Sequence, residues 1–377
     1  MKYKLHIPYV NRADLLRDAV ASVRDVFNGD IHIWHSNTPA PDVEDVVFHA
    51  LPPMPFTDLF NTLVYASWDD DIMLYMHNDG IARGDSAHKF LKFVEAKVAS
   101  NDRWGFIHAS HDTLCAHNMK AVRSVGFRDM MFWSYTSDAD YLKQFLWAGW
   151  DYVDSGQGSI DENAKDGVFH RNGQSNTIKA DWLFNHMTQY RVSFDKQYYR
   201  DKWGGSLDEE KFFYPFNGID LKRILQDAPA NTQERLKQVG SSKTVMAQLH
   251  TLNKYLIRMQ PHRILLVGSS DFDFLPGMLL TNFKLTKINS IADTIYPTKF
   301  DMVWLCGNDP KNDIIGAMQL KIPCMIIDNT VSPTVKKSIE DTELADTYHI
   351  IEPYAFLHDD RRMVVALMKN LSGLKLS

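Results

Sequence analysis

The chain has 377 residues, 45% of them apolar, and a net charge of −6. That is long enough for two domains with sizeable cores, and too apolar for a disordered chain. A uniformly basic nucleic-acid coat is excluded, although a local basic groove is not. Three scattered cysteines, Cys115, Cys306 and Cys324, form no CxxC pair and no even-numbered framework. They exclude a disulfide scaffold and a structural zinc ribbon, and indicate a reducing compartment, by default the cytoplasm. The start MKYKLHIPYVNRADLL lacks a signal-peptide core, and no run reaches the roughly eighteen apolar residues of a membrane span.

Residues 2–10 read as a strand. Residues 11–27 read as an amphipathic helix with Leu15, Leu16, Ala19, Val20, Val23 and Phe27 on one face, Asn11 as N-cap and Asp14 completing a box-like start. Strands DIHIWHS and VVFHAL and the helix TDLFNTLVYASW follow. Ile72 to Met76 is then a short unbroken apolar run, a buried strand that stops at the polar tetrad His77-Asn78-Asp79-Gly80. Alternating strands and helices imply an α/β fold with a doubly wound, mostly parallel sheet whose ligand-side loops share one edge. A carboxylate and an imidazole at that edge suit a divalent cation held against a diphosphate.

TSDADYLKQFLWAGW reads as a helix with Asp138 and Asp140 in its first turn, Ser137 as N-cap, and Tyr141, Leu142, Phe145 and Leu146 facing inward. Phe132, Trp133, Tyr135, Trp147 and Trp150 form an aromatic wall that would stack on a sugar or base, or serve the core. KQYYRDKWGG and, more weakly, HKFLKFVEAK interleave basic and aromatic residues, which suits a polyanionic, ring-bearing acceptor such as DNA or, more simply, solvated helix charges beside core aromatics. Residues 206–259 suit a helical connector. From His262 a fresh alternation gives five strand-like runs, with NDIIGAMQL and a closing DDRRMVVALMKNL as helices, so that 260–377 form a smaller Rossmann-like domain. VGSSDFDFLPG lacks the second and third glycines of a phosphate fingerprint, so no dinucleotide is assigned there, and a methyltransferase centred on this domain is a competing reading that the loop matches poorly. That domain reads as one for docking or acceptor binding.

Five segments in order across residues 3–205 resemble the family 2 glycosyltransferases of GT-A fold. They are HIPYVNRADLLRDAVASV, FNTLVYASWDDDIMLYMHNDG, the stretch from DTLCAHNMKAV to FLWAGW, VFHRNGQSNT and QYYRDKWGG. The resemblance implies a catalytic domain over 1–205 that moves a hexosyl or pentosyl group, with inversion, from a nucleotide-sugar donor, a UDP-sugar first. Mn²⁺ or Mg²⁺ would be the cofactor. It implies Pro8, Tyr9, Asn11, Arg12, Asn61 and Asn78 on the donor side, with Asn37 replacing the acid that commonly reads uracil. The metal ligands would be Asp79, His77 and His170, the general base Asp138, and the acceptor-side residues Trp133, Asp140 and Trp203.

Two departures stand out: His77 occupies the first position of the family's DxD motif, and Ser137 the Glu before its catalytic Asp. An imidazole brings no negative charge, which favours Mn²⁺. Compact members without membrane anchors include phage enzymes that glycosylate hydroxymethylated pyrimidines in DNA, which would place the chain in a host cytoplasm. Cell-surface polysaccharide synthesis and an inactive sugar-binding or assembly module are the alternatives. A nucleotidyltransferase would open with a Gly-rich, Arg/Lys-bearing loop, and PYVNRADLL has none.

Overall fold

A computed structural model of the chain describes residues 1–27, 30–36, 40–52, 54–100, 102–133, 135–171, 176–212, 215, 251–252, 254–256, 259, 261–270, 272–273, 275–280, 282–293, 299–306, 311–330, 332–343, 345–351 and 362–368. Asn37 and most of the expected connector lie outside these residues. The chain divides into two compact units, Met1–Val122 with Phe127–Gln197, and Arg123–Gly126 with Tyr198–Ser377.

The first unit is α/β. Its strands are β1 (Tyr3–Tyr9), β2 (Ile31–Ser36), β3 (Val47–Leu51), β4 (Ile72–Met76), β6 (Trp104–Ala109), β7 (Leu114–Asn118) and β8 (Asp151–Asp154), in the order β3-β2-β1-β4-β7-β6-β8. All neighbours are parallel except β7, which runs antiparallel to both β4 and β6. Central β4 is buried at every position whereas the edge strands β3 and β8 are not, as expected of a sheet covered on both faces. Helix α1 (Ala13–Val23) turns Leu15, Leu16, Ala19, Val20 and Val23 onto it. Helices α2 (Phe56–Ala66) and α3 (Ser86–Ala99) add Phe60, Leu63, Val64, Phe90 and Val94, and the short α4 (Met119–Val125) follows β7. A separate ribbon pairs β5 (Gly80–Arg83) with β9 (Gly167–His170).

Helix α5 (Ser137–Trp147) buries Tyr141 and Phe145 as expected, but Leu146 is 48% exposed and Gln144 and Trp147 take the inner positions. Sheet order reverses at the β1/β4 seam, because β1 meets β2 on one side and β4 on the other. In open α/β sheets the crevice for a ligand lies beyond the carboxyl ends of the strands at such a reversal.

The second unit holds a six-stranded sheet of β10 (Arg263–Gly268), β11 (Lys284–Ile288), β12 (Met302–Cys306), β13 (Cys324–Thr330), β14 (Tyr348–Ile351) and β15 (Arg362–Met368), ordered β11-β10-β12-β13-β15-β14. The first four strands in that order are parallel, and β15 is antiparallel to both neighbours. Strand β15 corrects the expected closing helix. Met363 to Leu367 are buried without a break, and a run with no polar stripe to give to water belongs inside a sheet. Gly268, at φ 86°, allows the end of β10 to approach β12, since a Cβ there would lie 2.1 Å from the Cys306 carbonyl oxygen. Among the described residues no helix is long and apolar enough to cross a membrane.

Leu74 sits on β4 with no exposed surface and belongs to the core cluster under α1 and α3. Leu74→Ala should cost about 2–5 kcal/mol in chemical denaturation. A loss below about 1 kcal/mol would contradict a core centred on β4.

Candidate functional site

Parallel pairing ends β1 and β4 on the same side, at Tyr9 and Met76. Leu114 pairs antiparallel with Met76, so β7 begins where β4 stops, and the ribbon sets His170 opposite Gly80. Residues nearly a hundred positions apart thus meet at one edge. Asp79 is 3% exposed, with Oδ1 3.3 Å from His170 Nδ1 and 3.9 Å from His77 Nδ1. The two imidazole rings stand edge to face at 4.9 Å. Among the described residues these three form a group whose ligand atoms all lie within 4.8 Å of one another. One carboxylate and two imidazoles are a donor set for a divalent first-row cation. A buried carboxylate with imidazoles turned to it fits such an ion, whose charge would offset the carboxylate's desolvation.

Backbone and amide hydrogen bonds fix the loops. Asn78 Nδ2 donates to the Asn11 carbonyl (3.1 Å), Thr177 Oγ1 to Asn78 Oδ1 (2.8 Å), and Asn11 Nδ2 to the Thr177 carbonyl (2.9 Å). Arg171 N donates to the Asp79 carbonyl (2.8 Å), and His77 N to that of Thr113 (3.0 Å). Asn11 and Asn78, expected to touch a donor, therefore spend these groups on tying the β1–α1 turn to the β4–β5 loop and to α6 (Asn176–Lys179).

The tie also moves the helix start. Arg12, not Asn11, is the N-cap of α1, in the left-handed region at φ 64° and without a side-chain cap. Its guanidinium instead grips Asp14 at 2.9 and 2.6 Å, and that contact holds the Asp14 carboxyl down at about 2. Pro8 and Tyr9 are buried within β1, so their side chains serve the core.

Asp138 lies in the first turn of α5 behind Thr136, which is the N-cap at φ 63°. Ser137 is the first helical residue, corrected from cap, and its hydroxyl accepts from Arg128 Nη1 at 3.4 Å. Asp138 is exposed to solvent on one side, while protein atoms packed on the other partly desolvate its carboxylate. That desolvation and the charge of Asp112 raise its pKa against the pull of Arg128. Asp138 and Asp79 both act electrostatically on His77: burial opposes charge on that ring, but Asp112, Asp79 and Asp138 outweigh it and raise its pKa.

Other expected contacts resolve differently. Asn61, expected near the donor, is fully buried and holds both backbone groups of Arg128, at 2.8 and 3.0 Å. Asp140, expected on the acceptor side, is fully buried and accepts from Gln144 Nε2 one helical turn on. Trp133 is half-buried. Its backbone N–H donates to the Asp195 carboxylate (3.2 Å), its carbonyl accepts from Thr57 N (3.3 Å), and Arg191 lies 5.7 Å over its ring. Trp203, at the end of α7 (Trp182–Trp203), is fully buried in the second unit together with Tyr199 and Lys202. In the basic-aromatic stretch Tyr199, Lys202 and Trp203 are therefore core while Tyr198 is half-buried, and in the weaker one Phe90 is core while Phe93 is half-buried.

Asp112 and Arg128 are site residues that sequence reading misses. Asp112 sits in the turn between β6 and β7, where Ser110 and His111 are both left-handed at φ 51° and 56°. Its Oδ2 lies 3.2 Å from His77 Nε2, an ion pair and not an aligned hydrogen bond. Burial works against its charge, but His77, then Arg128 and His170, hold the carboxyl well below the usual range. Arg128 is 4% exposed, stacked 3.5 Å over the Phe60 ring. Recognising Leu114–Asn118 as a strand beside β4 would have put Asp112 at the edge; no local pattern singles out Arg128.

No protein-family profile matches the chain, and no curated protein matches it in sequence. Solved structures with partial likeness include a mannosyltransferase of Pyrobaculum calidifontis in complex with GDP-mannose and Mn²⁺. It is 10% identical over 68% of this chain and 80% of its own, at a TM-score of 0.38. Glucosyl-3-phosphoglycerate synthase of Mycobacterium tuberculosis, with Mn²⁺, UDP-glucose and phosphoglyceric acid, is 10% identical over 51% and 79%, at 0.35. A cytidylyltransferase of Leptospira borgpetersenii is 9% identical over 51% and 96%, at 0.31.

An acid whose pKa is raised by folding weakens the folded state once pH passes its unfolded value, and the cost is complete above its folded value. Asp138→Asn removes that cost, so the variant should be more stable than wild type near pH 7 and indistinguishable from it below about pH 3.5. Melting curves at the two pH values check this. Equal or lower stability at pH 7 would mean that Asp138 is not the crowded carboxylate described.

Proposed function

We propose that the first unit is a divalent-cation-dependent glycosyltransferase that moves a sugar from a nucleoside diphosphate to an acceptor hydroxyl. The observation that carries the reading is the convergence of Asp79, His77 and His170 at the β1/β4 switch point, with Asp138 in electrostatic reach of His77. A cation bound by those three groups would neutralise the charge that builds on the departing diphosphate. Arg12, paired with Asp14, also feels the field of Asp79 and adds positive charge at the carboxyl end of β1, where a donor phosphate would lie. Asp138 is the general base: solvent access admits an acceptor hydroxyl, and a raised proton affinity brings it closer to the working pH.

Attack by the acceptor oxygen breaks the bond from the anomeric carbon to the diphosphate oxygen, Asp138 takes the acceptor proton, and the configuration at that carbon inverts. The order of the five sequence segments supports a nucleotide-sugar donor, a UDP-sugar first. Residues 260–377 are assigned an accessory role.

The test is a mass-spectrometric screen of nucleotide sugars with Mn²⁺ or Mg²⁺ against acceptors that include hydroxymethylated DNA and glycans. Product formed only with cation is the expected outcome. Mn²⁺-dependent binding without transfer to any acceptor or to water would instead describe a sugar-binding module. Asp138→Asn should leave donor binding nearly intact and lower transfer by about 10²–10⁴-fold; loss of both together would make the residue structural. Asp79→Ala should weaken Mn²⁺-dependent donor binding more than about tenfold, and unchanged metal dependence would remove Asp79 from the centre.

A further inference from the structure

His77 stands where a carboxylate would give the cation a negative charge, and the protein holds its ring on three sides. Tyr75 meets it edge on at 5.3 Å, His170 at 4.9 Å, and Asp112 faces Nε2 at 3.2 Å. With Nε2 turned to Asp112, the nitrogen left for the centre is Nδ1, the one 3.9 Å from Asp79 Oδ1. The backbone enforces the same arrangement. His77 N donates to the Thr113 carbonyl at 3.0 Å, one residue beyond Asp112, so the turn that carries the acid is fastened to the residue it faces.

That turn is held at some cost, since Ser110 and His111 are non-glycine residues in the left-handed region. Asp112 is not one of the three residues whose ligand atoms cluster within 4.8 Å. It sits behind the imidazole and not in the donor triangle.

We propose that Asp112 is a positioning residue for the cation: it fixes His77 with Nε2 protonated and Nδ1 toward Asp79 and His170. It thereby returns, through the ring, the negative charge that the histidine itself lacks. The inference rests on the reading that these three residues bind a divalent cation. A carboxylate on the far nitrogen of a ligating histidine orients the ring and strengthens it as a donor.

The experiment is a cycle of Mn²⁺ affinities on the full chain without nucleotide or acceptor, measured by calorimetry or by loss of the free Mn²⁺ electron paramagnetic resonance signal. Asp112→Asn should weaken Mn²⁺ by about 10- to 100-fold while circular dichroism and melting show a folded chain. In a His77→Asp background, where no ring needs orienting, Asp112→Asn should change affinity by less than about threefold or improve it.

A neutral Asp112→Asn in the wild-type background overturns the proposal. Equal weakening in both backgrounds does so too, by making Asp112 a ligand itself. Wild type that binds no Mn²⁺ overturns the metal reading first and this proposal with it. If His77→Asp does not fold, long-range ¹H–¹⁵N spectra of wild type decide: Nε2-protonated His77 supports the dyad, and Nδ1-protonated His77 contradicts it.

Discussion

A carboxylate at the end of a strand with no solvent on either face must be stabilised by whatever the chain brings to it. Strand β4 is buried at all five positions and delivers Asp79, itself 3% exposed, just beyond its last residue. Isolated, such a charge would carry a desolvation penalty of several kcal/mol. Here the surroundings are built from distant parts of the chain: His77 beside it, His170 from the paired ribbon, and a backbone bond from Arg171. The amide network of Asn11, Asn78 and Thr177 locks the β1 turn to the same loop. Burial of the acid, convergence of the imidazoles and closure of the loops are therefore one arrangement.

A second layer of charge surrounds this centre. Asp112, Asp138 and Arg128 influence one another, and their balance leaves Asp112 strongly acidic while Asp138 holds its proton more readily than an ordinary aspartate. Two carboxyls pushed in opposite directions by their environments are suited to different tasks, one as a fixed charge and one as a proton acceptor. Of the seven described non-glycine residues with positive φ, Arg12, Ser110, His111 and Thr136 lie in turns that feed this edge. Backbone strain gathered there is consistent with loops whose conformations are set by the site and not by local preference.

Much of this was legible in the sequence, and the rest was not for identifiable reasons. Strands β1, β2, β3 and β4 and helices α1 and α2 follow from unbroken or periodic apolar runs, and β4 was readable together with the polar tetrad that ends it. Asn11, Asn61 and Asp140 show what sequence cannot give. Each has the residue type of a ligand contact or a cap, but Thr177 and Arg128 from distant parts of the chain, and Gln144 one helical turn on, engage the side chain. Asp112 was hidden because β7 runs against its neighbours, so the acid lies before its strand and not after it. DDRRMVVALMKNL reads as a closing helix, but the unbroken burial of Met363 to Leu367 is a property of a strand inserted between two others. In the basic stretch the core reading of the aromatics is the one that fits Tyr199 and Trp203, while Tyr198 stays half-buried.

The central claim, that Asp79, His77 and His170 hold a divalent cation at the end of β4, is tested most directly by anomalous diffraction at the manganese edge from crystals grown with Mn²⁺ and a nucleoside diphosphate. The account expects one anomalous peak within about 2–2.5 Å of Asp79 and of the two imidazoles, with the diphosphate against it. A peak elsewhere, or diphosphate bound with no manganese at Asp79, would contradict it.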